Sequence, residues 1–76
     1  IQDVDKISVY PNPVENYMHV ITTEKVESLA LYSIDGKLIL RNEKSNYFDM
    51  SKLQKGIYLV KIKTEKGTYS KKVIKK

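Results

Sequence analysis

Apolar and polar residues alternate along most of this chain with a period of two, the spacing of a pleated strand with one buried face. The alternation is clearest from Ile57 to Thr64, where Tyr58, Val60 and Ile62 point one way and Lys61 and Lys63 the other. It recurs at Ile7 to Tyr10, with Ile7 and Val9 set against Ser8 and Tyr10. It recurs again at Tyr17 to Thr22, with Met18 and Val20 opposite Tyr17, His19 and Ile21. In Val26 to Ile34, Leu29 and Leu31 share one face while Ala30, Tyr32 and Ile34 share the other. Lys37 to Arg41, Tyr47 to Asp49 and Thr68 to Ile74 complete the set, and no helical period of useful length competes.

The breaks between these segments carry their own chemistry. Pro11-Asn12-Pro13 offers two residues with fixed φ and no N–H, and Asn12 precedes a proline, so the triplet ends the first strand and turns the chain sharply. Thr23-Glu24-Lys25 reads as a polar turn. Asp35-Gly36 between apolar runs predicts a two-residue hairpin of type I′, with positive φ at both positions. Met50 to Gln54 reads as one turn of tight helix or an irregular corner, with Leu53 pointing inward. Gly56 releases the chain into the long strand, and Lys66-Gly67 marks the next hairpin. Seven short strands with turns between them predict an all-β antiparallel sandwich or a small barrel, because a lone hairpin is not stable and two packed sheets are.

Length limits what such a fold can hold. With 76 residues the chain is one domain, and one of this size buries only about 60% of the surface its unfolded form exposes. That leaves room for a thin core and little for a deep substrate cavity. Without cysteine, neither disulfides nor thiolate metal sites contribute. No apolar run approaches the ~20 residues of a membrane helix. Residues 1–6 lack the basic-then-apolar pattern of a signal peptide, and no methionine precedes Ile1. The expectation is a piece of a longer exported protein, with a linker remnant at 1–6 and the folded domain at 7–76.

Charge is uneven. Residues 55–76 hold eight lysines and one acid, Glu65, whereas residues 1–54 hold six bases and eight acids. The basic segment is either a solvated edge that resists aggregation or a docking patch for an acidic surface.

Catalytic and metal chemistry finds little support. His19 is the one histidine; with no cysteine it does not make a zinc site of the usual kind, and it has no triad context. Asp3 and Asp5 resemble the start of a calcium loop but lack its later ligands and glycine. Gly36, Gly56 and Gly67 are too far apart for a phosphate loop. Tyr10, Tyr32, Tyr58 and Tyr69 read as residues at the edge of the core, while Tyr17 and Tyr47 remain candidates for stacking on sugars. The terminal lysines lack the aromatic interleaving of a single-strand binder, so no nucleic-acid partner is expected. The domain is not expected to be an enzyme or to need a cofactor.

Four elements in order carry a family resemblance: Val9-Tyr10-Pro11-Asn12-Pro13-Val14; Leu31-Tyr32-Ser33-Ile34-Asp35-Gly36-Lys37; Leu53-Gln54-Lys55-Gly56-Ile57-Tyr58-Leu59-Val60-Lys61; and Lys71-Lys72-Val73-Ile74-Lys75-Lys76. Together they resemble the type A C-terminal sorting domain of the type IX secretion system of Gram-negative bacteria, across residues 7 to 76. The resemblance implies an immunoglobulin-like antiparallel β-sandwich of about seven short strands, fused behind an N-terminal cargo domain. It implies passage through the periplasm and across the outer membrane, recognition by the type IX translocon and its shuttle components, and cleavage upstream by a surface sortase. The family-motif positions are Pro11, Asn12, Pro13, Gly36, Gly56 and Tyr58. Translocon recognition maps onto Lys71, Lys72, Val73, Ile74, Lys75 and Lys76, with Val73 and Ile74 as the apolar anchor and the lysines setting orientation and on-rate. An exposed last strand is also suited to joining a partner's sheet edge. The alternative reading is an accessory carbohydrate- or protein-binding sandwich in a secreted multidomain enzyme; a third is a plain structural spacer.

Overall fold

The structure, a computed structural model, describes residues 7–76; the linker expected at 1–6, with Asp3 and Asp5, lies outside the described residues. Seven strands follow in chain order: β1 (Ile7–Tyr10), β2 (Tyr17–Thr22), β3 (Val26–Ser33), β4 (Leu38–Glu43), β5 (Tyr47–Asp49), β6 (Gly56–Thr64) and β7 (Gly67–Lys75). They form two antiparallel sheets, one ordered β1-β2-β5 and the other β4-β3-β6-β7. The chain crosses between layers so that β2 pairs with β5 and β3 with β6, the Greek-key connection of an immunoglobulin-like sandwich.

The period-two faces meet as the sequence predicts. Ile7, Met18, Val20 and Phe48 from the three-stranded sheet, with Val14 and Met50 beside them, pack against Leu29, Leu31, Tyr58, Val60, Ile62 and Val73 from the other. Cross-strand pairs set the layers of this core: Met18 lies opposite Phe48, Leu31 opposite Val60, and Leu29 opposite Ile62. Fully burying a side chain of this kind stabilises the fold by about 1.5–3 kcal/mol.

The turns depart from expectation in detail. The Asp35-Gly36 hairpin is not type I′, because Gly36 has φ +93° while Asp35 is not at positive φ. Gly36 N–H instead donates to Ser33 O at 2.9 Å, and Ser33 N–H to Lys37 O at 2.8 Å. That encloses a three-residue loop closed by a left-handed glycine, the next commonest hairpin solution. The Ser33 hydroxyl bonds the Asp35 carboxylate and accepts Lys37 N–H at 3.1 Å, which fixes the longer loop. The next hairpin turns on Glu65 and Lys66, and Gly67 already pairs with Thr64. Met50 to Gln54 is a corner without helix: Leu53 N–H reaches Met50 O at 3.1 Å, and Leu53 packs on the core.

Pro11-Asn12-Pro13 does more than end a strand. Before it, β1 pairs with β2 in the three-stranded sheet; after it, Val14 bridges Lys75 in parallel on the four-stranded sheet. The triplet thus carries the chain from the edge of one layer to the edge of the other, a sheet switch at a corner of the sandwich.

Candidate recognition surface on the four-stranded sheet

The six residues Lys71 to Lys76 lie at the end of the chain's last strand, and pleating divides them. Ile74 is 43% exposed, and Lys72 and Lys76 face solvent. Val73 is fully enclosed in the core, Lys75 is only 8% exposed, and Lys71 is half-buried. In the folded domain Val73 therefore offers no side chain to a partner. Strand geometry divides the expected Val73–Ile74 pair, since consecutive side chains leave opposite faces. The Lys75 ammonium folds back to donate to Lys76 O at 3.1 Å.

The outward residues of β7 meet a surface that extends well beyond the tail. Ile74 lies directly opposite Ile57 of β6, itself 45% exposed. In the next rows Lys72 faces Leu59, Leu59 faces Tyr32 of β3, and Tyr32 faces Leu38 of β4. Further along, Lys61 and Lys63 of β6 stand beside Ser70 and Thr68, with the Lys61 ammonium 5.3 Å from the Tyr32 ring centroid, a cation–π distance. One corner of this outer face is therefore apolar and is bordered by lysines. Lys61 and Lys63 belong to the basic segment 55–76, but only the β6–β7 register places them, with Ile57 and Leu59, on one face with the tail.

The backbone edge of β7 is occupied beside Ile74. Asn12 Oδ1 accepts Ile74 N–H at 2.9 Å, and Asn12 Nδ2 reaches Lys72 O at 3.4 Å. Val14 N–H donates to Ile74 O at 2.7 Å, and Lys76 N–H to Val14 O at 2.8 Å. A partner strand adding at Ile74–Lys76 would have to displace these bonds, while β7 as a whole is an edge strand of its sheet. Asn12 is the triplet's only residue with side-chain hydrogen-bonding groups, and its amide replaces the ladder that the prolines do not supply. The Lys76 ammonium also lies 3.6 Å from Glu15.

Two further family-motif positions, Tyr58 and Gly56, lie where the corner after β5 enters β6. Tyr58 is 9% exposed, and its hydroxyl donates to Gln54 O, four residues upstream, at 2.6 Å. This is the tyrosine-corner arrangement of immunoglobulin-like domains, and it ties the irregular corner to β6. Gly56 opens β6 at φ +152° opposite Lys75.

Glu24, read in sequence as part of a polar turn, is 8% exposed. Its carboxylate accepts from the Thr64 hydroxyl at 2.8 Å and the Tyr69 hydroxyl at 3.0 Å. The hydrogen bond to Glu24 pushes the Tyr69 phenol above its ordinary value, with burial and the carboxylate's charge acting in the same direction. Among the described residues no group of three or more His, Cys, Asp or Glu is placed to hold a metal ion.

Comparison with known proteins agrees with this architecture. The profile of the family described as "Secretion system C-terminal sorting domain" matches residues 8–76. Beta-agarase D of Zobellia galactanivorans is 31% identical over 75 residues, a match covering 96% of this chain and 16% of that protein. The chain thus spans about one sixth of the length of the curated relative it matches. The fold defines the class of two-sheet antiparallel sandwiches, here with a clamped terminal strand. This chain belongs to the secretion system C-terminal sorting domain family. It is a sorting signal of the type IX system, a tail fused to cargo that directs it across the outer membrane to the cell surface or exterior.

Proposed function

We propose that the type IX translocon and its shuttle components read the outer face of the four-stranded sheet, with Ile74 and Ile57 as the apolar contact and Lys72, Lys76, Lys61 and Lys63 as the charged border. Of the tail residues, Ile74, Lys72 and Lys76 meet the partner; Val73, Lys75 and Lys71 hold the strand in place. An apolar centre inside a charged rim is the usual anatomy of a protein-binding patch, and the lysines accelerate encounter with an acidic receptor. The observation that carries this reading is the direct pairing of exposed Ile57 and Ile74 beside the basic stripe. In the same reading this chain performs no chemistry of its own, residues 1–6 are the remnant of the linker to the cargo, and a surface sortase cuts in or before that linker.

The test uses surface substitutions in a full-length cargo fusion. Deleting residues 72–76 would also remove Val73 from the core and Ile74 from the Asn12 clamp, so it would mix unfolding with loss of address. Ile74→Asp and the pair Lys72→Glu, Lys61→Glu leave every buried residue in place. Both are expected to trap folded cargo in the periplasm while the isolated domain keeps its thermal midpoint. Normal surface delivery of both variants would falsify the reading.

A further inference from the structure

The three-stranded sheet has an outer face of quite different chemistry. Its outward residues are Ser8 and Tyr10 on β1, Tyr17, His19 and Ile21 on β2, and Tyr47 and Asp49 on β5. The chain is 30% charged with fourteen basic residues, yet these positions carry one acid and no base. Register places Tyr10, His19 and Tyr47 in a single row across all three strands. Tyr10 and His19 have ring centroids 5.4 Å apart and planes within 28°; His19 and Tyr47 are at 6.3 Å and 30°; Tyr17 joins Tyr47 at 6.2 Å. Tyr10, Tyr17 and Tyr47 are 46–49% exposed, and Ile21 beside the row is 56% exposed.

Four aromatic rings in contact, left in water on a small domain, form a patch of the kind that marks an interaction site. We propose that this row is a second binding surface, and that its ligand is a neutral saccharide. The negative ring faces of tyrosine attract the polarised C–H bonds on one side of a pyranose. The phenol hydroxyls and the imidazole nitrogens of the same row can donate to or accept from the sugar hydroxyls at its rim. The absence of lysine and arginine from the outward strand positions of this sheet favours a neutral ligand. Nucleic acid and anionic lipid both draw their affinity from cationic side chains; among the described residues the strand lysines, Lys61, Lys63, Lys71, Lys72 and Lys75, all belong to the opposite sheet, while Lys52, beside Asp49, and Lys76, near Tyr17, reach the margin of this face. A neutral ligand loses nothing by that arrangement. The domain would then carry two independent faces, a basic one for export and an aromatic one for a neutral glycan.

The experiment is an amide NMR titration of the 76-residue chain with a neutral glucan hexasaccharide, a neutral galactan hexasaccharide and, as anionic control, a heparin hexasaccharide. Saturable shifts confined to Ser8, Tyr10, Tyr17, His19, Ile21 and Tyr47 with at least one neutral sugar are expected, with weaker or no response to heparin. Tyr47→Ala and Tyr10→Ala should each weaken binding about tenfold, as loss of one stacking contact. Tyr47→Phe should keep the stacking, and Ile74→Asp should leave binding unchanged. The proposal is overturned by silence at millimolar concentrations of both neutral sugars or by equal or stronger binding of heparin. It is also overturned by a face that shifts only with protein concentration, which would make it a contact between copies of the domain.

Discussion

Asn12 and Ile74 lie sixty-two positions apart, and the side-chain carbonyl of the first accepts the backbone N–H of the second at 2.9 Å. The bond joins the sheet switch after β1 to β7, the strand that carries the proposed recognition residues. It makes Pro11-Asn12-Pro13 a support of the tail as well as the end of a strand.

Removing that support should loosen the tail. Asn12→Ala is expected to cost about 0.5–1.5 kcal/mol, the net worth of an ordinary hydrogen bond. The Ile74 amide should lose protection against hydrogen exchange. Asn12→Asp keeps an acceptor oxygen, so Ile74 should stay protected in that variant. Protection unchanged in Asn12→Ala would show that the clamp does not hold the strand.

Stability at high pH should depend on Tyr69. Its phenol holds its proton more tightly when folded than the ordinary value of 10.0 allows, first because it donates to Glu24. A raised folded value contributes stability that is complete below pH 10.0 and is lost as pH rises through the folded value. Urea midpoints should therefore fall on the alkaline side, and the fall should be smaller in Tyr69→Phe. An identical alkaline limb in both proteins would remove Tyr69 from the account.

The acid limb has the opposite sign. The Ser51 hydroxyl and backbone N–H both donate to Asp49, at 2.6 and 3.0 Å, and hold its carboxyl below the usual 3.8. Asp35 is lowered in the same sense, chiefly by Ser33. Stability from these groups is present above pH 3.8 and is lost as pH falls through the lower folded values. Asp49→Asn should flatten the acid limb measured by urea titration, and Ser51→Ala should do so in part.

Two substitutions separate turn from core. Gly36→Val places a β-branched residue at φ +93°, with open space around the new Cβ. Its cost should come from backbone strain alone, about 1–2 kcal/mol. Val60→Asp puts a carboxylate at a fully enclosed position and should cost more than about 4 kcal/mol. Against a total of about 4–11 kcal/mol for a chain of this length, the first should fold with a lowered midpoint and the second should not fold. Circular dichroism under thermal melting reads both.

What could be read from sequence followed from local periodicity. Tyr58, Val60 and Ile62 declared their buried face because each sits two positions from the next, and the seven strands and their sandwich followed from repeating that test. Properties that arise only when distant segments meet were not legible. Glu24 looked like a turn residue because its partners, Thr64 and Tyr69, are forty and forty-five positions away. The Asp35 turn departs from the type its dipeptide favours because the Ser33 hydroxyl stabilises a longer loop. Lys71 to Lys76 read as a linear label, yet alternate residues turn inward. The contribution of Ile57 became visible only through its pairing with Ile74.

The seating of Val73 ties the folding of the whole domain to its last strand. Val73 fills the core and Ile74 is gripped by Asn12, so a polypeptide interrupted anywhere before these positions lacks both the interior plug and the clasp. Such a product would reach the export machinery as an open, protease-sensitive chain and would present no assembled outer face. If the proposed outer face is the address, it is assembled only when translation has passed Val73 and Ile74, and unfinished cargo goes without it.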